Sequence, residues 1–283
     1  MAVMEKRKIG IESLERYERF LRSEEKSEAT VEKYMRDVRG FVSFVCVGEV
    51  SKQSVIDYKQ MLGEKHAVAG ANSIIAAMNS FLRFCGWGDL CVRQFRVQRE
   101  AYCPSQKELT RAEYLRLVET ARKKKNRRLD LILQTVCGTG IRISELRYIT
   151  VEAAKEGEAV VSCKGKNRRI FIVPMLRERL LRYAREQGIE TGEVFVTRSG
   201  RAVNRTNVWR EMKMLCREAA VDPRKVFPHN LRHLFARTFY GIEKDIAKLA
   251  DILGHSSINT TRIYIATTGE EHRRRMENMR LII

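Results

Sequence analysis

Three of the five histidines in this sequence lie close together, between positions 229 and 255. If residues 228–240 form a helix, a rotation of about 100° per residue places His229, Arg232 and His233 within one arc of about 100°. The opposite side of that helix would carry Leu231, Leu234, Phe235 and Thr238. Such a helix would bury its apolar side and present two imidazoles and one guanidinium together.

The same residue types permit two plainer interpretations. The histidine and the arginine could have only structural roles, at a helix N-terminus and on a surface. Alternatively, imidazoles four residues apart, at His229 and His233, could hold zinc. However, Asn230 and Leu231 replace the glutamate expected of a zinc protease, and no third ligand is evident nearby. We therefore expect no metal and no cofactor.

Three further segments contain residues suited to chemistry. Residues 138–146 (GTGIRISEL) contain Arg142, and residues 163–166 (CKGK) contain Lys164. In residues 253–257 (LGHSS), His255 precedes Tyr264 by nine positions. Together with residues 229–232 (HNLR), these segments resemble in order and spacing the boxes of the tyrosine recombinases, or phage integrases. Each box alone is weakly specific, whereas all of them together are very specific.

The resemblance extends over nearly the whole chain. Residues 27–44, with Thr30, Tyr34 and Phe41, are similar to the core-binding helical domain of that family. It implies a mainly α protein with two parts. These are an N-terminal four-helix core-binding (SAM-like) domain and a mainly α catalytic domain with a small antiparallel β-sheet.

The resemblance also implies a reaction. Arg142 and Arg232 would clamp the non-bridging oxygens of a DNA phosphate. His229 and His255 would donate hydrogen bonds to that phosphate, and His229 could also accept a proton, since an imidazole titrates near neutral pH. Tyr264 would attack the phosphorus, giving a 3′-phosphotyrosyl enzyme and a free 5′ hydroxyl. The covalent bond conserves the energy of the phosphodiester, so rejoining would need neither ATP nor a metal.

Three supporting assignments follow from the same resemblance. Lys164, at the tip of a hairpin, would protonate the leaving 5′ oxygen, with Lys166 as the alternative acid. We expect Glu145 to orient the cations of the site, although Arg142 and Glu145 could instead be an ion pair on a helix surface. His233 resembles a residue behind the phosphate ligands rather than a ligand itself.

The apolar pattern predicts the elements that position these residues. A stripe at helical spacing over 27–47, with similar patterns over 11–22, 51–62 and 71–85, predicts four helices, interrupted by Gly63 and a turn at 86–88. Periodicity is lost around Pro104. We therefore expect a core-binding domain over 1–98, a linker over 99–107 and a catalytic domain over 108–283.

In the second domain, helices are expected over 110–124, 127–137, 176–187, 204–219, 228–240 and 243–253, with Pro228 as the first residue of its helix. Strands are expected over 158–163 and 168–174, joined by a turn at 164–167. Ser256 or Ser257 would cap one more short helix that carries Tyr264.

Charge and composition indicate the partner and the compartment. The 283 residues include 54 Lys and Arg against 35 Asp and Glu, a net charge of +19, of which residues 101–283 carry +16. This excess favours a polyanion. Seven scattered cysteines without a CxxC pair favour a reducing cytoplasm. Neither a signal peptide nor an apolar stretch long enough to cross a membrane is seen.

The expected partners are double-stranded DNA with a specific recombination site and, in the synaptic complex, three further copies of the chain. The apolar end of the tail at 281–283 (LII) would join neighbouring copies of the resulting homotetramer. Folding back on its own domain is the alternative. Integration or excision of a mobile element and resolution of a replicon both fit. The rival functions are a type IB topoisomerase-like enzyme that relaxes DNA and an inactive DNA-binding regulator.

Overall fold

The computed structural model describes residues 7–45, 49–96, 108–163, 166–197, 199–265, 273 and 276–279. The chain divides into two compact units, Met1–Arg99 and Glu100–Ile283. The expected linker over 99–107 lies outside the described residues, as do Lys164 and residues 281–283. No helix within the described ranges is long and apolar enough to cross a membrane.

The first unit contains four helices in its described part, as the apolar pattern predicts. They are α1 (Ile11–Ser23), α2 (Glu28–Val45), α3 (Lys52–Lys65) and α4 (Val68–Phe84), and a single 3₁₀ turn follows at Gly88–Leu90. Two clusters of apolar side chains fill the interior, one around Phe41 and Ile75 and the other around Tyr17 and Phe81. The Tyr17 and Phe81 rings meet edge to face at 5.1 Å, a favoured geometry for aromatic pairs.

The predicted break at Gly63 is wrong. Helix α3 continues through this position to Lys65, and α4 begins at Val68 rather than at residue 71. The glycine instead allows the Phe95 ring to approach the helix, because a Cβ placed on Gly63 would lie 2.9 Å from Cζ of Phe95. A glycine costs a helix about 1 kcal/mol relative to alanine, which packing can offset. The predicted turn at 86–88 is confirmed, with Gly86 at φ +77°.

The second unit is mainly helical and contains a two-stranded antiparallel sheet, which confirms the predicted fold class. Its elements are α5 (Arg111–Lys123), α6 (Arg127–Thr139), a 3₁₀ segment (Ile143–Tyr148), α7 (Val151–Glu156), β1 (Glu158–Cys163), β2 (Lys166–Phe171), α8 (Pro174–Glu186), α9 (Arg205–Leu215), a 3₁₀ turn (Pro223–Lys225), α10 (Pro228–Glu243), α11 (Ile246–Leu253) and α12 (Ile258–Ile265). The 3₁₀ segment and α7 were not predicted.

The predicted bounds of the second strand need correction. The strands pair from Glu158 opposite Phe171 to Cys163 opposite Lys166, so β2 starts two residues earlier than expected. Only residues 164 and 165, outside the described ranges, come between them. Pro174 is not in the strand but at the first turn of α8, where a missing N–H costs nothing.

Helix α9 ends four residues before its predicted end. The carbonyls of Ala219 and Ala220 accept hydrogen bonds from the Arg116 guanidinium at 2.9 and 3.2 Å. Ala220 has a positive φ of 49°, which a continuing helix does not allow. A contact with α5, distant in sequence, therefore ends this helix.

Helices α10, α11 and α12 carry most of the candidate chemistry, and their ends have clear local causes. Pro228 lies at the first turn of α10, as predicted. Asp245 accepts hydrogen bonds from the backbone N–H groups of Ala247 and Lys248, so α11 begins at Ile246 rather than at residue 243. Ser257 accepts a hydrogen bond from the N–H of Asn259, which confirms one of the two predicted caps of α12.

Helix α6 ends against α10 at Gly140, and the contact is tight. Gly140 adopts a φ of +67°, and a Cβ there would lie 2.4 Å from Cδ1 of Phe235 and 3.1 Å from Cδ2 of Leu253. Gly188 offers a matched comparison, since it has the same φ of +67° and no atom within 4 Å of such a Cβ.

We predict that Gly140→Ala lowers the free energy of unfolding by about 2–5 kcal/mol, because left-handed strain and overpacking add. Gly188→Ala should cost only about 1–2 kcal/mol, since it carries the strain alone. Urea denaturation followed by circular dichroism measures both. Equal losses in the two variants would show that the contact of Gly140 with α10 contributes nothing to stability.

Candidate active site

The guanidinium of Arg232, on α10, is almost completely buried, with 1% of the residue exposed. Its Nη1 donates to the carbonyl of Gly140 at 2.5 Å, and its Nη2 donates to the carbonyl of Leu253 at 2.5 Å. These acceptors follow α6 and end α11, so one side chain joins three helices. Its Nε makes no hydrogen bond to the described part of the chain. Burial, followed by the nearby charge of Arg142, lowers the pKa of Arg232 to about 10.

A buried carboxylate holds two further guanidiniums beside Arg232. Glu145, at 5% side-chain exposure, accepts a hydrogen bond from the backbone N–H of Arg142 at 2.7 Å and one from its Nη1 at 2.9 Å. It also accepts one from Nη2 of Arg168. The alternative of an exposed ion pair on a helix is wrong, because Glu145 is buried on a 3₁₀ segment and has two arginine partners.

Tyr264, on α12, lies against two imidazoles from α10. Its hydroxyl is 3.0 Å from Nε2 of His229. The His233 ring stacks on the tyrosine ring, with centroids 4.1 Å apart and an interplanar angle of 9°. Tyr264 itself is 6% exposed. Because the hydroxyl and an imidazole nitrogen are in hydrogen-bond range, a proton can pass from Tyr264 to His229 without any rearrangement.

The charge state of His229 suits that transfer. Desolvation of the ring lowers its pKa, and the positive charges of Arg232, Arg142 and Arg205 lower it further. A neutral imidazole has one nitrogen without a proton and can act as an acceptor. Desolvation and the surrounding arginines therefore keep His229 in the neutral form that a base requires.

His255 has its two ring nitrogens engaged. Nε2 is 3.1 Å from Nη2 of Arg232, and Nδ1 is 2.9 Å from Oγ1 of the buried Thr261. Arginine can only donate, so Nε2 accepts and Nδ1 carries the proton. This differs from the expected donation to a phosphate, since Nε2 here supports Arg232. Burial, and then the charge of Arg232, lowers the pKa of His255 to about 4.

The structure thus brings together seven of the eight predicted site residues. They are Arg142, Glu145, His229, Arg232, His233, His255 and Tyr264. The eighth, Lys164, lies outside the described residues, and its alternative Lys166 is the first residue of β2. Among the residues described, no group of three or more His, Cys, Asp or Glu is placed to hold a metal.

Sequence reasoning missed Arg168. It lies on β2, and its Nη1 donates to the carbonyl of Ile252 at 2.7 Å, while its Nη2 contacts Glu145. A signal was present in the sequence. Side chains alternate along a strand, so Arg168 shares a face with the buried Ile170, whereas Arg169 faces the other way. An arginine on the buried face of a strand needs an acceptor, which points to a partner inside the fold.

Two half-buried histidines, His233 and His255, predict a dependence of stability on pH. Burial first, and then neighbouring positive charges, lowers the pKa of His233 and of His255 from 6.5 to about 4. Between those values the unfolded chain binds protons that the folded chain does not, so the free energy of unfolding falls as the pH is lowered from about 6.5 to about 4. Urea denaturation at several pH values measures this slope.

His255→Gln should reduce that slope, and His66→Gln, at an exposed position of the first unit, should leave it unchanged. A slope that is the same in His255→Gln and in the wild-type chain would contradict a lowered pKa of His255 in the folded state.

Comparison with known proteins places this chain in a family. The model of the phage integrase family matches residues 107–271. Tyrosine recombinase XerA of Pyrococcus furiosus is 26% identical over 286 residues, which cover 99% of this chain and 98% of the relative.

Two solved structures are also similar. A lambda integrase (75–356) dimer bound to a COC′ core site has a TM-score of 0.74 at 17% identity, covering 91% of this chain and 95% of the other. A lambda integrase tetramer bound to a Holliday junction has a TM-score of 0.72 at 17% identity, covering 91% and 77%. At these identities the likeness concerns the fold alone. Because the family model matches more than half of its residues, this chain belongs to the phage integrase family, the family of the tyrosine recombinases.

Proposed function

We propose that this recombinase cleaves and rejoins duplex DNA at a specific site through a covalent bond between Tyr264 and a 3′ phosphate. The buried guanidinium of Arg232 is the observation that carries the proposal. Burying a charge costs several kcal/mol unless it is compensated. The hydrogen bonds of Arg232 within the described chain go to carbonyls and an imidazole, and its Nε has no acceptor there. An anionic oxygen would satisfy both the charge and the Nε.

A second guanidinium, that of Arg142, supports a phosphate as the anion. Arg142 is close enough to lower the pKa of Arg232, and its side chain is 37% exposed, so it can reach a ligand. Two guanidiniums beside one anion suit a group with several oxygens whose charge increases in the transition state. A phosphodiester has these properties.

Each proton in the proposed reaction has a donor and an acceptor. The hydroxyl of Tyr264 gives its proton to Nε2 of His229, and the tyrosine oxygen forms a bond to phosphorus. The bond from phosphorus to the 5′ oxygen breaks, and Lys164 supplies a proton to that oxygen. Rejoining reverses these steps with a 5′ hydroxyl as the nucleophile. His233 stacks on Tyr264 and would fix its ring, and Glu145 would orient Arg142.

The two units would have different roles on DNA. We assign residues 1–98 to core binding, 99–107 to the linker and 108–283 to catalysis. The net charge of +16 on residues 101–283 supports contact of the catalytic domain with phosphates. Similar proteins have been solved on a COC′ core site and on a Holliday junction. DNA relaxation of the type IB kind and a purely regulatory role draw no support from these relatives.

Assembly and biological role follow by the same likeness. We propose a homotetramer on paired DNA sites, because the lambda integrase on a Holliday junction is a tetramer. The apolar tail at 281–283, outside the described residues, is our candidate for the contact between copies. The role would be integration or excision of a mobile element, or resolution of a replicon, in the cytoplasm at the nucleoid.

Tyr264→Phe tests the nucleophile. The variant should lose covalent attachment to DNA completely and keep its affinity for the site, because only one hydroxyl is removed. The substrate is a nicked duplex that carries a site selected for binding from random sequences, and a denaturing gel separates the adduct. Tyr240→Phe, in α10, is the matched control and should form the adduct at the natural rate. An adduct that persists in Tyr264→Phe would move the nucleophile to another residue.

A further inference from the structure

Arg168 has no part in the reaction proposed above, yet it is unusually well enclosed for an arginine on a two-stranded sheet. It lies on β2 opposite Val161, and its side chain is 12% exposed. The neighbouring Arg169 is 69% exposed and pairs only with the carboxylate of Glu158 among the ion pairs of the described residues. The two arginines therefore have different surroundings although they adjoin in sequence.

Two hydrogen bonds tie Arg168 to separate segments of the site. Nη2 bonds to the carboxylate of Glu145, which also holds Arg142. Nη1 donates to the carbonyl of Ile252, at 2.7 Å, in the last turn of α11. The next carbonyl along the chain, that of Leu253, accepts from Arg232. The β-hairpin is thus connected to both segments that hold the proposed phosphate ligands.

Packing fixes the position of the Arg168 stem as well. Gly254 ends α11 with a φ of +64°, and a Cβ on it would lie 2.7 Å from Cδ of Arg168 and 3.1 Å from its Nε. Only a glycine lets the guanidinium approach the turn between α11 and His255 so closely. Arg168 is therefore held by hydrogen bonds to Glu145 and Ile252 and by close packing against Gly254.

We propose that Arg168 is a positioning residue that fixes strand β2, and so the chain that directly follows Lys164 in sequence, on the phosphate-binding segments. The inference rests on the proposed function and adds a dependence of leaving-group protonation on Arg168. Arg168 is four residues beyond Lys164 in sequence, so its two bonds limit the movement of the strand that follows the lysine. A lysine at 168 could not replace it, because one ammonium lacks the planar fork that reaches two acceptors in fixed directions.

The experiment compares two substrates that differ in one atom. One carries the ordinary 5′ oxygen at the cleaved bond, and the other carries a 5′ bridging sulfur, which leaves without a proton. A general acid contributes about 10²–10⁴-fold to a rate. Arg168→Lys should therefore slow single-turnover cleavage of the oxygen substrate by about 10²-fold or more. It should cleave the sulfur substrate at nearly the natural rate.

Three comparison variants complete the design. Lys164→Ala should show the same selective loss on the oxygen substrate, which would identify Lys164 as the acid. If Lys166→Ala shows that loss and Lys164→Ala does not, Lys166 is the acid that Arg168 positions. Arg169→Lys, the exposed neighbour, should behave as the natural sequence on both substrates. Glu145→Gln should slow cleavage of both, because it also releases Arg142.

Equal losses of Arg168→Lys on the two substrates would overturn the inference, since Arg168 would then act on phosphate binding. Wild-type cleavage rates of Arg168→Lys on both substrates would also overturn the inference. If circular dichroism shows that Arg168→Lys is unfolded, Arg168→Gln is measured in its place, with the same expected pattern. Failure of the natural sequence to form any adduct would instead reject the proposed function, and this inference with it.

Discussion

One buried cation organises the candidate site. The Arg232 guanidinium is removed from water, and that cost is offset by carbonyls from the ends of α6 and α11 and by the imidazole of His255. Each of these carbonyls reaches Arg232 only because its helix ends at that point of the chain. Gly140 and Gly254 supply those stops, both with positive φ, and a Cβ would collide with Phe235 at Gly140 and with Arg168 at Gly254. Moving either helix end would leave the charge without compensation.

The second feature is an imbalance of charge around that cation. Arg142 and Arg168 share one buried carboxylate, that of Glu145, and Arg232 lies nearby without a carboxylate of its own, so the surroundings stay positive. Partial desolvation of the rings, and then this positive field, lower the pKa of His229, of His233 and of His255, so the three imidazoles are neutral near pH 7. A field of this sign stabilises a dianionic transition state and leaves an imidazole free to take the proton of Tyr264.

The sequence predicts the residues of the candidate site more completely than it predicts the contacts that hold them in place. Helical spacing correctly grouped His229, Arg232 and His233, and Pro228 marked the start of α10, because these depend on local periodicity. The tertiary contacts were not visible in the sequence. The sequence predicts a helix end at Gly63, whereas the structure shows a close approach to Phe95, which is distant in sequence. The early end of α9 depends on Arg116, and the burial of Arg232 depends on carbonyls 21 and 92 residues away. Arg168 was overlooked although strand alternation put it on the face of Ile170.

The most direct test of this account is a crystal structure of the Tyr264→Phe chain bound to a duplex with its selected site. We expect a phosphate of the backbone within hydrogen-bond distance of Nε of Arg232 and of the Arg142 guanidinium. The bonds of Arg232 to the carbonyls of Gly140 and Leu253 should be kept. A structure in which Nε of Arg232 has no phosphate oxygen within reach, while DNA occupies the site, would contradict the claim that this buried cation binds the reacting group.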